Sequence, residues 1–240
     1  MLPSNGKEVK QRRNYHMSLK ELATLLNHLK SWDPKYYVLV LFQAMLGLRA
    51  SEALAIQMWD FSEEFKYVTY RQAKTNKIIE KEPVPEQLRQ LIMAYIYHNK
   101  HRLIDGYLFP NHTGKGHRMT TESYGTLWSK WRKQLAKNGH DGFIDKYTIA
   151  AKTNGRLLTR YRISSHSLRR LHRTILWKDI KNYKIVMELC HYDDYKSFER
   201  YINEFELMEK KDDYLMNVLN PIANRLTMFA QGQQQLTSFG

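Results

Sequence analysis

The stretch His166-Ser-Leu-Arg-Arg-Leu-His-Arg173 decides how the rest of this chain is read. Leu168, Leu171, Ile175 and Leu176 recur at helical spacing and form one apolar stripe, with Ser167 as the expected N-cap. Burying that stripe sets His166 and Arg169 one turn apart at the helix start, while Arg170 and Arg173 are expected to point off it. An imidazole and a guanidinium beside the unpaired N–H groups of a helix start make a receptor for a phosphate. A solvated basic helix face would produce the same pattern. The decision therefore rests on what other segments bring to this one.

The sequence has 240 residues, enough for one well-buried core, and a formal net charge of +14. That excess predicts a polyanionic partner, with nucleic acid first and an anionic membrane surface second. The longest apolar run, Tyr36 to Leu48, holds 13 residues and is interrupted by Gln43. It is too short to span a bilayer and reads as a buried helix, so no membrane is expected. No signal-peptide pattern opens the sequence, and an intracellular protein is the expectation. The single cysteine, Cys190, leaves no internal disulfide and no cysteine-cluster metal site. His112 and His117 share a Gly-containing loop without acidic or thiol neighbours, so no metal is expected there.

Residues 1–16 are polar and basic and read as a tail or linker stub. Ser18 with Glu21 forms a capping box, and Leu19, Leu22, Leu25, Leu26 and Leu29 place one face of the first helix in a core. Asp33-Pro34 starts a second helix that stops at Gly47, followed by a tight turn carrying Arg49 and a short helix capped by Ser51 and running to about Met58. A charge held between two helices, one strongly apolar, needs a partner, and Glu52 is the candidate. Phe65–Gln72 and Ile78–Val84 read as a hairpin turning at Lys74-Thr-Asn-Lys77. A helix carrying Leu88, Leu91, Ile92, Tyr95 and Ile96 follows, then one from Thr120/Thr121 carrying Tyr124, Leu127, Trp128, Trp131 and Leu135. Residues 140–163 lose the helical period, and Asn154-Gly155 predicts a second hairpin. On its second arm Arg156, Arg160 and Arg162 share a basic face that could follow a DNA backbone or simply be solvated. A helix ending near Cys190-His191, a helical restart at Ser197 carrying Tyr201, and a Gln-rich disordered tail at 231–240 complete the reading.

Arg49, Lys74, His166, Arg169, His191 and Tyr201 all fall at element ends or turns, where side chains can converge on one ligand. In that order they resemble the tyrosine recombinase (phage integrase) family, over nearly the whole chain from about residue 18 to 205. Leu46-Gly-Leu-Arg-Ala-Ser-Glu52 resembles the family's first box and His166-Ser-Leu-Arg169 the second. Leu189-Cys-His191 followed by Tyr201 resembles the third, and the Lys74–Lys77 turn resembles its β-hairpin lysine loop. The spacing from His191 to Tyr201 is one residue longer than the family pattern, and Cys190 stands where a glycine is usual. The 140–163 segment is longer than the pattern and reads as an insertion. Members usually carry a helical core-binding domain ahead of the catalytic one; with some 16 residues ahead of the capping box here, the expectation is either an excised catalytic domain or a chain that lacks half of the clamp.

The resemblance implies an α+β, mostly α-helical catalytic domain over 17–230 with a small antiparallel sheet. It implies site-specific cleavage and rejoining of double-stranded DNA through a 3′-phosphotyrosyl intermediate, with no cofactor and no metal. Tyr201 would be the nucleophile, with Tyr192 and Tyr195 as rivals. Arg49 and Arg169 would hold the phosphate and His191 would hydrogen-bond it. His166 would orient or accept the tyrosine proton, and Glu52 would give structural support. Lys74 would be the general acid, with Lys77 and Lys81 as rivals. Lys77, Arg156, Arg160, Arg170 and Arg173 would bind DNA. The implied assembly is a homotetramer on two DNA sites formed from monomers in solution, in an intracellular, DNA-associated setting. A type IB topoisomerase-like relaxing enzyme, or a non-cleaving DNA-binding descendant of a recombinase, would present much the same residues.

Overall fold

A computed structural model describes residues 12–14, 17–111, 117–144, 146–152, 155–192, 195–196 and 198–199. The chain divides into two compact units, Met1–Leu176 and Trp177–Gly240.

The first unit is organised on the apolar run. Helix α1 (Leu19–Leu29) opens with the expected capping box, Ser18 accepting from the Glu21 amide while Glu21 accepts from the Ser18 amide. Leu22, Leu25 and Leu29 are buried as expected, but Leu19, at the first helical position, is exposed rather than in the core. Helix α2 (Pro34–Leu46) begins at Asp33, whose carboxylate accepts from the Lys35 amide at 3.0 Å. It is buried nearly all round, with Val38, Leu39, Val40 and Phe42 shut from solvent, as a run without amphipathic period requires. Lys35 is also fully buried and donates to the Pro110 carbonyl at 3.2 Å. The short α3 (Ala50–Ala53) follows. Its N-cap is Arg49, not Ser51, and it ends well before Met58, where a 3₁₀ turn (Met58–Asp60) takes over.

Strands β2 (Tyr67–Arg71) and β3 (Ile78–Pro83) form the first hairpin, antiparallel, with a register shift between Val68 and Tyr70. Lys81, at φ 53°, lies on the longer side of that irregularity. Helix α4 (Glu86–Asn99) buries Leu88, Ile92 and Tyr95. Helix α5 (Thr121–Lys137) is capped by Thr120 and drives Trp131 into the core, where its ring meets Tyr36 at 5.4 Å and Trp32 at 6.0 Å.

The second predicted hairpin is present as β4 (Lys146–Lys152) and β5 (Gly155–Arg162). One feature departs from the reading of residues 1–16 as a tail. Residues Arg12–Asn14 form β1, which pairs in parallel with β5, so this sheet is mixed and has the order β1-β5-β4. Helix α6 (Ser165–Ile180) then runs from the first unit into the second. Ser167 is not its N-cap. It lies inside the first turn, where its hydroxyl accepts from the Ser164 amide at 3.1 Å.

In the second unit α7 (Tyr183–Leu189) starts at Asn182, whose side chain accepts from the Lys184 and Ile185 amides. It ends in a Schellman turn: the His191 amide donates to Glu188 and the Tyr192 amide to Met187. Tyr192 packs on Phe198 at 5.4 Å and Tyr195 on Tyr183 at 5.3 Å. No described helix is long and apolar enough to cross a membrane.

Gly47 closes α2 in the left-handed region at φ 63°, and a Cβ there would lie 2.5 Å from His172 Cδ2. Gly47→Ala should therefore lose about 1–3 kcal/mol of stability. Adding His172→Ala should recover the steric part and leave the backbone part, which denaturant unfolding of the single and double variants measures.

Candidate active site

The site is built around a carboxylate. Glu52 sits on α3 with its side chain fully buried, and its oxygens collect partners from three separate segments. Oε2 accepts from the Arg49 amide at 2.7 Å, and Oε1 accepts from Arg49 Nη1 at 2.6 Å. Oε1 also accepts from the Ala73 amide at 3.0 Å, at the turn between β2 and β3. Arg169 Nη1, from α6, lies 3.6 Å from Oε2. Burial alone would raise the pKa of this carboxyl. The Arg49 and Ala73 amides and the two guanidinium charges outweigh that penalty and hold it below the ordinary value.

Both arginines are fixed, and differently. Arg49 keeps its side chain partly open, at 26 % exposure. Arg169 is 5 % exposed and also donates from Nη1 to the Gly47 carbonyl at 2.5 Å. Two guanidinium groups share one carboxylate, so the cluster keeps one positive charge in excess. A phosphodiester monoanion complements that charge, and planar guanidinium forks suit its paired oxygens.

Lys74 is exposed one residue beyond Ala73, so the Glu52–Ala73 bond ties the lysine turn to the arginine cluster. The turn is tight: the Asn76 amide donates to the Gln72 carbonyl at 3.0 Å, with Asn76 left-handed at φ 59°. Lys77 closes the turn and is exposed.

His166 stands in the first turn of α6 with its side chain exposed. Protein crowded around it, and the charges of Arg170, Arg173, Arg169 and Arg49, push its pKa down to about 4. Crowding by protein is the largest cause, and the four cations push in the same direction. The ring is neutral at physiological pH and has a nitrogen lone pair to offer.

Two expectations change. Arg173 was expected on an open face, but it is 8 % exposed. Arg170 is half-buried. At the end of α7 the left-handed residue is His191, at φ 51°, while Cys190 is right-handed at φ −94°. A glycine at 190 is therefore not needed for this turn, and the imidazole is mounted on a backbone fixed by two hydrogen bonds. Tyr201 lies outside the described residues, as does His112; Arg156 and Arg160 lie on β5, whose side chains are also outside them. His117 is paired with Asp105 at 3.0 Å, and no cluster of metal-ligating residues occurs among the described ones. Gln43, His172 and the Gly47 carbonyl, which organise the arginine turn, carried no role in the sequence reading beyond Gln43 interrupting an apolar run.

The family model described as "Phage integrase family" matches residues 16–207, and the chain belongs to that family. No curated protein sequence matches it. Among solved structures, XerH site-specific recombinase bound to palindromic difH substrate has a TM-score of 0.58 at 16% identity, covering 84% of this chain and 53% of that one. XerA recombinase has a TM-score of 0.58 at 17% identity, covering 78% and 59%. A lambda integrase dimer bound to a COC' core site has 0.57 at 12% identity, covering 79% and 48%. At these identities the likeness establishes the fold, the integrase-type catalytic domain. The chain spans about half the length of these proteins.

Glu52 gives the site an acid limit. Its folded-state pKa lies below the model-compound value of 4.5, so its contribution to stability is complete above about pH 4.5 and is lost as pH falls through the folded value. Urea midpoints measured at pH 6 and pH 3 should fall more for the wild type than for Glu52→Gln, which carries no titrating group there. At pH 6 that variant should be the less stable by about 3 kcal/mol.

Proposed function

We propose that this chain is a site-specific DNA recombinase that cleaves and rejoins strands through a 3′-phosphotyrosyl intermediate. The observation that carries the reading is the Glu52 cluster. It gathers Arg49, Arg169 and the Lys74 turn around one buried carboxylate and leaves one net positive charge to meet a phosphate. Membership of the phage integrase family supports the same activity, as do fold relatives bound to DNA substrates.

In the proposed step the Tyr201 phenolate oxygen attacks phosphorus. A P–O bond to tyrosine forms and the bond to the 5′-oxygen breaks. Arg49 and Arg169 hold the non-bridging oxygens and stabilise the charge that builds on them. Lys74 gives the departing 5′-oxygen its proton; it is preferred over Lys77 and Lys81 because it adjoins the amide tied to Glu52. Neutral His166 accepts or orients the tyrosine proton, and His191 donates a hydrogen bond to the phosphate. A 5′-hydroxyl from a second strand reverses the step, and the phosphotyrosyl bond conserves the phosphodiester energy, so joining needs no nucleotide cofactor. Tyr201 is preferred over Tyr192 and Tyr195 as nucleophile for its place in Phe198-Glu-Arg-Tyr-Ile-Asn203.

Lys77, Arg156, Arg160 and Arg170 are assigned to backbone-phosphate contacts. The buried Arg173 is assigned to supporting the α6 start instead. We assign the active assembly to a homotetramer on two DNA sites, formed from monomers; sedimentation with and without duplex should show the change.

A nicked suicide duplex should trap the wild type as a covalent adduct that survives denaturing electrophoresis. Tyr201→Phe should abolish that adduct. Arg49→Ala and Arg169→Ala should each slow its formation by at least about 100-fold. An adduct in Tyr201→Phe would move the nucleophile elsewhere, and none in the wild type would leave a DNA-binding protein without cleavage. Binding should weaken steeply between 50 and 200 mM salt, as phosphate-dominated association does.

A further inference from the structure

The peptide plane that joins Leu48 to Arg49 is held at both edges. Its N–H, on Arg49, donates to Glu52 Oε2 at 2.7 Å. Its C=O, on Leu48, accepts from Gln43 Nε2 at 3.2 Å. A peptide is rigid and planar, so two opposed hydrogen bonds fix its orientation and with it the direction in which the Arg49 side chain leaves the backbone.

Gln43 is itself oriented. It is fully buried, and its Oε1 accepts from the hydroxyl of Tyr124 on α5 at 2.7 Å. Tyr124 is 1 % exposed, so the relay runs entirely through the core. A carboxamide at the centre of an apolar helix costs free energy unless its polar atoms are met, and an aliphatic side chain would fill the place without that cost. What the carboxamide adds is direction: a donor aimed at one carbonyl beyond the end of α2, where helical partners have run out.

We infer that Gln43, oriented by Tyr124, is a positioning residue for Arg49, setting the guanidinium for the phosphate from the side opposite Glu52. This inference rests on the recombinase reading for its catalytic consequence. It makes no contact with DNA, so its loss acts on the chemical step and leaves binding alone.

The test uses Gln43→Met, which keeps length and burial but loses both hydrogen bonds, and Gln43→Glu. A protonated glutamic acid can donate to Leu48 and accept from Tyr124 as glutamine does, whereas the ionised form turns a charge toward the Leu48 carbonyl. At saturating suicide duplex, Gln43→Met should form adduct about 10- to 100-fold more slowly than wild type, with DNA affinity within about threefold. Gln43→Glu should regain rate, relative to wild type, as pH is lowered. Tyr124→Phe should slow cleavage less than Gln43→Met, and the double variant should be no slower than Gln43→Met alone, because the two act in one relay.

Cleavage by Gln43→Met within twofold of wild type would overturn the inference, and so would a loss explained wholly by weaker DNA binding. Hydrogen exchange at the Arg49 amide separates this failure from failure of the parent reading. Exchange should quicken in Gln43→Met whether or not the wild type cleaves DNA, and wild-type protection there would sink the positioning role. If Gln43→Met does not fold, the pH-dependent recovery of Gln43→Glu and the exchange rate in Tyr124→Phe decide the matter.

Discussion

A carboxylate shut away from water must find cations and N–H donors, and Glu52 finds them on three segments that are remote in sequence. Its oxygens take the Arg49 amide and guanidinium, the Ala73 amide and the neighbourhood of Arg169. The same requirement makes the site. Satisfying Glu52 draws the end of α2, the turn of the first hairpin and the start of α6 to one place. Two arginines can stand together there because the carboxylate between them offsets one of their charges. The charge left over leaves the cluster cationic, as the proposed phosphate contact requires.

Around that centre the turn carrying Arg49 is braced from every side on which backbone groups would be left open. Gly47 supplies the left-handed residue that ends α2 and presents its carbonyl to Arg169. His172 lies against the face where a side chain on Gly47 would be. Burial and the neighbouring charges of Arg173 and Arg169 push the pKa of His172 down to about 4. It therefore remains neutral and adds no further repulsion to a crowded set of cations. Gln43 holds the Leu48 carbonyl from within the core. Rigidity of this kind suits a group that must meet developing charge without rearranging.

Much of this was legible in the sequence because it is local. The Ser18–Glu21 box, the Asp33-Pro34 start, Gly47 as the end of α2, both hairpins and the Arg49–Glu52 pair all depend on residues a few positions apart. What was not legible is long-range. The link between Ala73 and Glu52 is a backbone amide, which no residue type announces. Gln43 meets Tyr124 across 81 positions and Arg169 meets Gly47 across 122, so only the packed core reveals what each polar group serves. Arg173 was assigned to an open face from helical spacing alone, but long side chains on the border of an apolar stripe can turn inward when a partner lies there. The parallel pairing of Arg12–Asn14 with β5 joins strands far apart in the chain, and a three-residue strand has no period to betray it.

The proposed chemistry requires Arg49 and Arg169 to act on one phosphate while Glu52 holds both. A crystal structure of the chain with a bound DNA duplex tests that most directly. It should place oxygens of a single backbone phosphate within hydrogen-bond distance of both guanidinium groups, with the Glu52 contacts to Arg49 and Ala73 retained. A bound duplex whose phosphates meet only one of the two arginines, or a Glu52 released from them on binding, would contradict it.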